Sequence, residues 1–302
     1  MKNSMKYLIS FFAALIIILF YSSCKTTAIG SVGNNVCKNL EKKTVLYVVF
    51  VDSKGTHSWN DFDIRSTLDS IQIAVDWIHK SAAENNINLN ISVEHAEKNG
   101  KIPFKGKFKY ETFSNTLYRS KNLIDGIRLI DQWSDKIAKN VARSVKADSS
   151  SIVLSKNRSN NRERMIAKLR NKYKTDNIAV MYFINCYYEN ELSAAFHTGS
   201  NNDTEYAVVS TKHPPVIAHE FLHLFGAWDL YISPFDKGIL LKHKKKKAMK
   251  NFPNEIMAYT HKRNIDSLNI SQLTRYLIGW DTKLETKYSN ALLGRRTKLL
   301  EY

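Results

Sequence analysis

His219-Glu220-Phe221-Leu222-His223-Leu224-Phe225-Gly226-Ala227-Trp228-Asp229 is the stretch on which the reading of this chain turns. On a helix, positions i and i+4 share a face about one turn apart, so the imidazoles of His219 and His223 can reach a single metal ion. Glu220 leaves the helix about 100° further round. That direction suits contact with a water on the metal better than direct ligation. Ile217, Phe221, Leu224, Phe225 and Trp228 supply an apolar packing face, leaving the two histidines and Glu220 toward a cleft. Pro214 and Pro215 stand just ahead, where a first helical turn tolerates proline. Taken alone, His219 to His223 has a plainer reading as a core histidine pair with satisfied hydrogen bonds.

The residues that follow narrow the reading. Gly226 and Asp229 stand three and six positions after His223, and the run resembles the motif of the metzincin clan of zinc peptidases, His-Glu-x-x-His-x-x-Gly-x-x-His or -Asp. The form ending in Asp is closest to the snapalysin-like members. The resemblance implies that Gly226 ends the helix in a left-handed turn, a conformation glycine adopts without steric cost, and that Asp229 joins His219 and His223 as third ligand of a Zn2+ ion. It also implies a methionine turn beneath the metal, for which the chain offers Glu255-Ile256-Met257-Ala258-Tyr259. Met257 would floor the site, and Tyr259 would bind the metal reversibly or steady the transition state. Glu255 replaces a serine often found there. The expected fold is α/β (α+β): a metzincin-like zincin domain with a mixed twisted sheet, an active-site helix, the methionine turn and a C-terminal helix. In sequence the likeness covers roughly residues 215–280.

Two imidazoles and one carboxylate leave a fourth zinc position open to water. The resemblance therefore implies a zinc endopeptidase acting on protein or peptide substrates, with Glu220 as general base and then acid. One rival is a surface binding or adhesion protein that keeps the metal only as structure, although such a site needs no Glu220. Another takes Glu255 as third ligand in the manner of thermolysin-like enzymes, but the Glu-x-x-x-Asp pattern on a following helix is missing.

Upstream, residues 44–51 read as a buried strand rich in β-branched side chains. A helix is expected over 63–80 on Ile64, Leu68, Ile71, Val75 and Ile78, capped by Asp61 or Asp63. Strand alternation marks 87–93. A long helix or two joined helices are expected over 117–145, and a basic amphipathic helix with a solvated outer face over 158–172. Further strands are expected at 178–187, 192–198 and 205–210, and a last helix at 265–278. The order suggests one mixed α/β core. Residues 192–198 are the candidate edge strand lining the cleft, where an extended peptide would pair. His197 and His213 read as surface residues rather than ligands, and 231–253 as a long basic loop carrying Lys242 to Lys247.

The N-terminus speaks to compartment. Lys2 and Lys6 precede an apolar stretch from Tyr7 to Tyr21, too short for a comfortable membrane span. Ser22 and Ser23 then lead to Cys24, an arrangement that resembles a bacterial lipoprotein signal, with an ordinary secretory signal cut nearby or an uncleaved anchor as the alternatives. The resemblance implies a signal peptide over 1–23, lipid on Cys24, a polar tether over 24–43 and a peptidase domain over 44–302. The protein is accordingly expected to be exported to the bacterial cell envelope and held to the membrane by that anchor. Export permits a disulfide between Cys37 and Cys186, and a buried Cys186 thiol is an equal reading. The net charge of +17 is spread along the chain without a zinc-finger, phosphate-loop or RNA-binding motif, so a solvated basic surface is expected rather than nucleic-acid binding.

Overall fold

The computed structural model describes residues 39–98, 101–109, 123–146, 160–186, 193–198, 204–232, 239–258, 260 and 264–288. Along the chain run β1 (Lys42–Lys54), α1 (Asp61–Glu84), β2 (Leu89–His95), β3 (Phe104–Lys109), α2 (Leu123–Ser144) and α3 (Asn161–Tyr173). They are followed by β4 (Asn177–Ile184), β5 (Ala194–Phe196), β6 (Tyr206–Val209), α4 (Pro214–His223) and α5 (Ile239–Asn251). A 3-10 turn (Ile265–Ser267), α6 (Gln272–Leu277) and one last helical turn (Thr286–Tyr288) complete the order. The expected signal peptide, Cys24, Cys37 and most of the expected tether lie outside the described residues. Among those residues, no helix is long and apolar enough to cross a membrane.

The strands form one mixed sheet in the order β2-β1-β4-β6-β5, with β3 pairing on β1 past the end of β2. Every pairing is parallel except β5 against β6. Val45 to Val51 are all buried because β1 has a neighbour on each side and helices on both faces. Strand side chains alternate, so Leu46, Val48 and Phe50 point to one face and Val45, Tyr47, Val49 and Val51 to the other. The first face packs on α1 and α4, the second on α2 and α3. The expected single core is therefore two apolar clusters separated by the sheet.

Several elements differ from the sequence reading for local reasons. The cap of α1 is Asn60, whose side chain accepts the Asp63 N–H at 2.9 Å. Asp61 is already inside the helix, and Asp63 receives Lys212 and Asn185 instead. Residues 239–251 are helix α5, not loop: lysine is a good helix former, and Lys245 and Ala248 occupy its buried side. A lysine in a core-facing slot hides the apolar period. The helix expected over 265–278 is broken, because Asn269 bridges in extended form to the segment at Glu255 and α6 begins only after its cap, Ser271. In α3, a capping box between Asn160 and Glu163 starts the helix, and Arg162 is buried against Asp131 rather than solvated.

The domain begins before β1. Leu40 is fully buried, its N–H donates to Ile278 O at 2.9 Å, and its carbonyl accepts Trp280 Nε1 at 2.6 Å. This end of the expected tether is thus sewn to the C-terminal segment. Leu40→Ala should lower unfolding free energy by about 2–5 kcal/mol, measured by urea denaturation. A change below about 0.5 kcal/mol would mean that the segment is not part of the cooperative unit.

Candidate metal centre

Helix α4 follows β6 after a four-residue link and packs against α1, β5 and β6. Pro214 and Pro215 occupy its first turn, where missing N–H groups cost nothing. Its far end closes with Gly226 N–H on His223 O at 3.0 Å and Ala227 N–H on Leu222 O at 3.2 Å. These two bonds are the Schellman pattern, which needs a left-handed residue at the turn. Gly226 supplies it with φ +96, and a Cβ there would stand 3.2 Å from Leu277 O. The reversal carries Asp229 back over the helix.

His219 Nε2, His223 Nε2 and Asp229 Oδ1 then converge. The two nitrogens are 3.0 Å apart, and each is 3.1 Å from the carboxylate oxygen. Each histidine turns its other nitrogen to a backbone carbonyl: His219 Nδ1 to Ile256 O at 3.2 Å and His223 Nδ1 to Ala227 O at 2.8 Å. A carbonyl only accepts, so each Nδ1 carries a proton, and a ring in its neutral form offers the Nε2 lone pair inward. That is the outer-shell arrangement of metal-ligating histidines. A tetrahedral shell with bonds of about 2.0–2.2 Å has edges of about 3.3–3.6 Å, so donors 3.0–3.1 Å apart need to part by only a few tenths of an ångström to hold a small divalent cation. Among the described residues this is the group of acidic, histidine and cysteine side chains that converges on one point.

The electrostatics are those of a buried site that wants positive charge. Burial works against charging His223, but the Asp229 carboxylate beside it prevails and raises its pKa to about 9. Burial would likewise raise Asp229, yet the two imidazoles hold it well below the usual carboxylate range. Glu220 behaves differently. Burial pushes its carboxyl above the ordinary value, against the pull of both histidines. Its Oε2 is enclosed with no hydrogen-bond partner, while the Ala195 N–H of edge strand β5 also bonds this carboxyl. A buried carboxyl oxygen thus stands unmatched beside three converging side chains.

Glu255 is fully buried but faces elsewhere. One oxygen accepts Met257 N–H at 3.2 Å and the Thr274 hydroxyl at 3.1 Å, and the other accepts Ser271 N–H. Burial raises its pKa against those hydrogen bonds. Both oxygens are committed to tying the 255–258 turn to the start of α6, which leaves no geometry for ligation. Met257 is buried within this turn. Its carbonyl accepts Leu230 N–H at 2.8 Å, one residue from Asp229, while the neighbouring Ile256 carbonyl holds His219. The turn thus grips both ligand-bearing segments by its backbone. Tyr259 lies outside the described residues.

Two features escaped the sequence. Tyr231, 37% exposed, stands with its ring 6.1 Å from that of His219, and Lys245 Nζ lies 5.9 Å over the same tyrosine. Only its place two residues after Asp229 hinted at this. His197 is not a plain surface residue: its Nε2 is 2.7 Å from Asp131 Oδ1, which also accepts Arg162 and the Tyr206 hydroxyl. With φ 63 at His197, this contact ties the end of β5 to α2. Both contacts join segments far apart in sequence. His213 is the N-cap of α4, with no side-chain capping bond. Cys186 is buried just beyond β4.

Compared with models of known protein families and with curated protein sequences, the chain returns no match.

The geometry separates the two acids as ligands. Asp229→Ala should weaken divalent-metal binding by more than about a hundredfold, with partial recovery in Asp229→His. Glu255→Gln should leave metal affinity within about fivefold and lower stability by about 1–3 kcal/mol. Competition titration against a chromophoric chelator measures both. Metal affinity lost in Glu255→Gln and retained in Asp229→Ala would reverse the assignment.

Proposed function

We propose that this chain is a zinc-dependent metalloendopeptidase of metzincin-like type. The observation that carries this reading is Glu220: a buried carboxyl with a raised pKa and an unmatched Oε2, set beside three side chains converged to 3.0–3.1 Å. A site built only to hold metal needs His219, His223 and Asp229 but has no use for such a group. The sequence likeness at Gly226, Asp229 and Met257 supports the same family.

A zinc ion held there supplies Lewis acidity, polarising a carbonyl and lowering the pKa of a water toward about 7. The protein's own residues do the rest. The Ile256 and Ala227 carbonyls fix both imidazoles in the tautomer that offers Nε2. Asp229 brings one negative charge, which offsets the cation and leaves the water less acidic than a third histidine would. Glu220 Oε2 takes the proton as the water oxygen attacks the scissile carbonyl carbon. It then passes that proton to the departing amine nitrogen as the C–N bond breaks. The outer edge of β5 borders Glu220 through Ala195, where an extended substrate backbone can add as a further strand.

Glu220→Gln preserves shape but cannot accept the proton. Zinc should stay at one equivalent while hydrolysis of a mixed peptide library falls by about 100- to 10,000-fold. Equal hydrolysis by both proteins would remove Glu220 from the mechanism. A fully zinc-loaded wild type with no hydrolysis would favour the structural-metal reading.

We propose further that the enzyme is an exported, lipid-anchored protein of a bacterial cell envelope, on the strength of Lys2, Lys6, the apolar run and Cys24. Cys24→Ala should abolish incorporation of labelled fatty acid and leave the precursor uncleaved. Labelling that persists in this variant would rule out Cys24.

A further inference from the structure

Helix α5 carries six lysines, Lys242, Lys244, Lys245, Lys246, Lys247 and Lys250, and no acidic residue. At 100° per residue these do not spread evenly. Lys245 and Ala248 are buried on one side, whereas Ile239, Lys242, His243, Lys246, Lys247 and Lys250 are all exposed on the other. Lys242 and Lys246 stand at i, i+4, as do Lys246 and Lys250, so the face repels itself instead of pairing. Among the described residues no ion pair relieves Lys242, Lys246, Lys247 or Lys250. Elsewhere the protein does use such relief, as Arg128 with Asp125 in α2 shows. At the head of the same face Ile239 is 89% exposed, the most exposed large apolar side chain described.

We propose that this outward face of α5 docks on an anionic lipid surface. Four lysines within about 12 Å of helix form a compact positive patch that acidic headgroups would neutralise, and the exposed Ile239 side chain suits the boundary between headgroups and acyl chains. The direction of the face favours a flat partner over a substrate strand. Lys245 alone turns inward, over Tyr231 and toward His219, whereas the four exposed lysines point away from that side. An acidic peptide in the cleft would not meet them. The inference uses neither the metal nor hydrolysis, so it stands or falls apart from the peptidase reading.

The test measures partition of the purified full-length chain onto phosphatidylcholine vesicles with and without about one-third phosphatidylglycerol. It is run for wild type and for the combined variant Lys242→Gln, Lys246→Gln, Lys247→Gln and Lys250→Gln. Glutamine has nearly the helix propensity of lysine, and an unchanged melting temperature checks the fold. Lys2, Lys6 and the apolar N-terminal run are the same in wild type and variant, so the difference between the two proteins in anionic preference isolates the α5 lysines. Wild type should prefer the anionic vesicles at least tenfold at about 0.1 M salt and lose most of that preference at about 0.5 M. The variant should fall to near the zwitterionic level. If it melts early, the four single substitutions replace it, each expected to cost about two- to fivefold. An anionic preference retained in the variants would assign the effect to the diffuse net charge and overturn the proposal. So would a wild type that ignores headgroup charge but binds soluble polyglutamate through these lysines.

Discussion

Three electron-pair donors held 3.0–3.1 Å apart repel one another, and the rest of the structure around α4 serves to hold them there. His219 and His223 are buried, so water cannot spread the unfavourable interaction. The Ile256 and Ala227 carbonyls lock each ring through Nδ1, and the Gly226 reversal brings the carboxylate across. Without a cation, the ionised Asp229 carboxylate draws a proton onto His223, whose pKa is raised while that of Asp229 is lowered. With one, the same three atoms become a ligand set that needs almost no rearrangement. Preorganisation of this kind is where a folded chain gains affinity over an unfolded one.

The turn at residues 255–258 is the mechanical counterpart. Burying Glu255 in the core is costly unless its oxygens are matched, and here they accept from Ser271, Thr274 and Met257. The carboxylate thereby becomes a rivet between the turn and α6. Because Ile256 and Met257 then reach His219 and Leu230 through their own carbonyls, strain at either ligand-bearing segment is carried into the C-terminal core. Leu40 and Trp280 close that core from the other end of the chain.

The sheet gives the site its asymmetry. One face supports α1 and α4 and hence the candidate metal centre, while the other is occupied by α2 and α3. At the β6 end of the sheet, β5 makes polar contacts on both sides. Its Ala195 N–H bonds Glu220, and His197, just past its end, is held by Asp131 of α2. The short antiparallel strand is thus tethered at one end by a polar cluster and leans on the general-base candidate. This position makes its outer edge a defined border rather than a frayed one.

What sequence alone could determine lies within the reach of one helical turn or one strand pleat. The i, i+4 spacing of His219 and His223 and the uninterrupted apolar runs of β1 and β4 express local geometry and could be read without tertiary information, while the turn at Gly226 came from the motif resemblance. Asp61 or Asp63 as a cap and the single core were misjudged because a cap depends on which backbone N–H is orphaned and a core on how the faces are covered. The unbroken C-terminal helix and the basic loop failed for a related reason: Asn269 is drawn into a bridge with Glu255, and Lys245 occupies a buried slot against the rule of its residue type. Most telling are the two acids. Asp229 and Glu255 both follow His223 at plausible distances, and motif spacing favoured one without excluding the other. Only the folded chain decides between them, because a ligand is chosen by where an oxygen atom finally rests. Glu255 rests on Ser271, Thr274 and Met257, whereas Asp229 is swung over by a glycine turn onto two imidazoles, one of them oriented by a carbonyl 37 residues away.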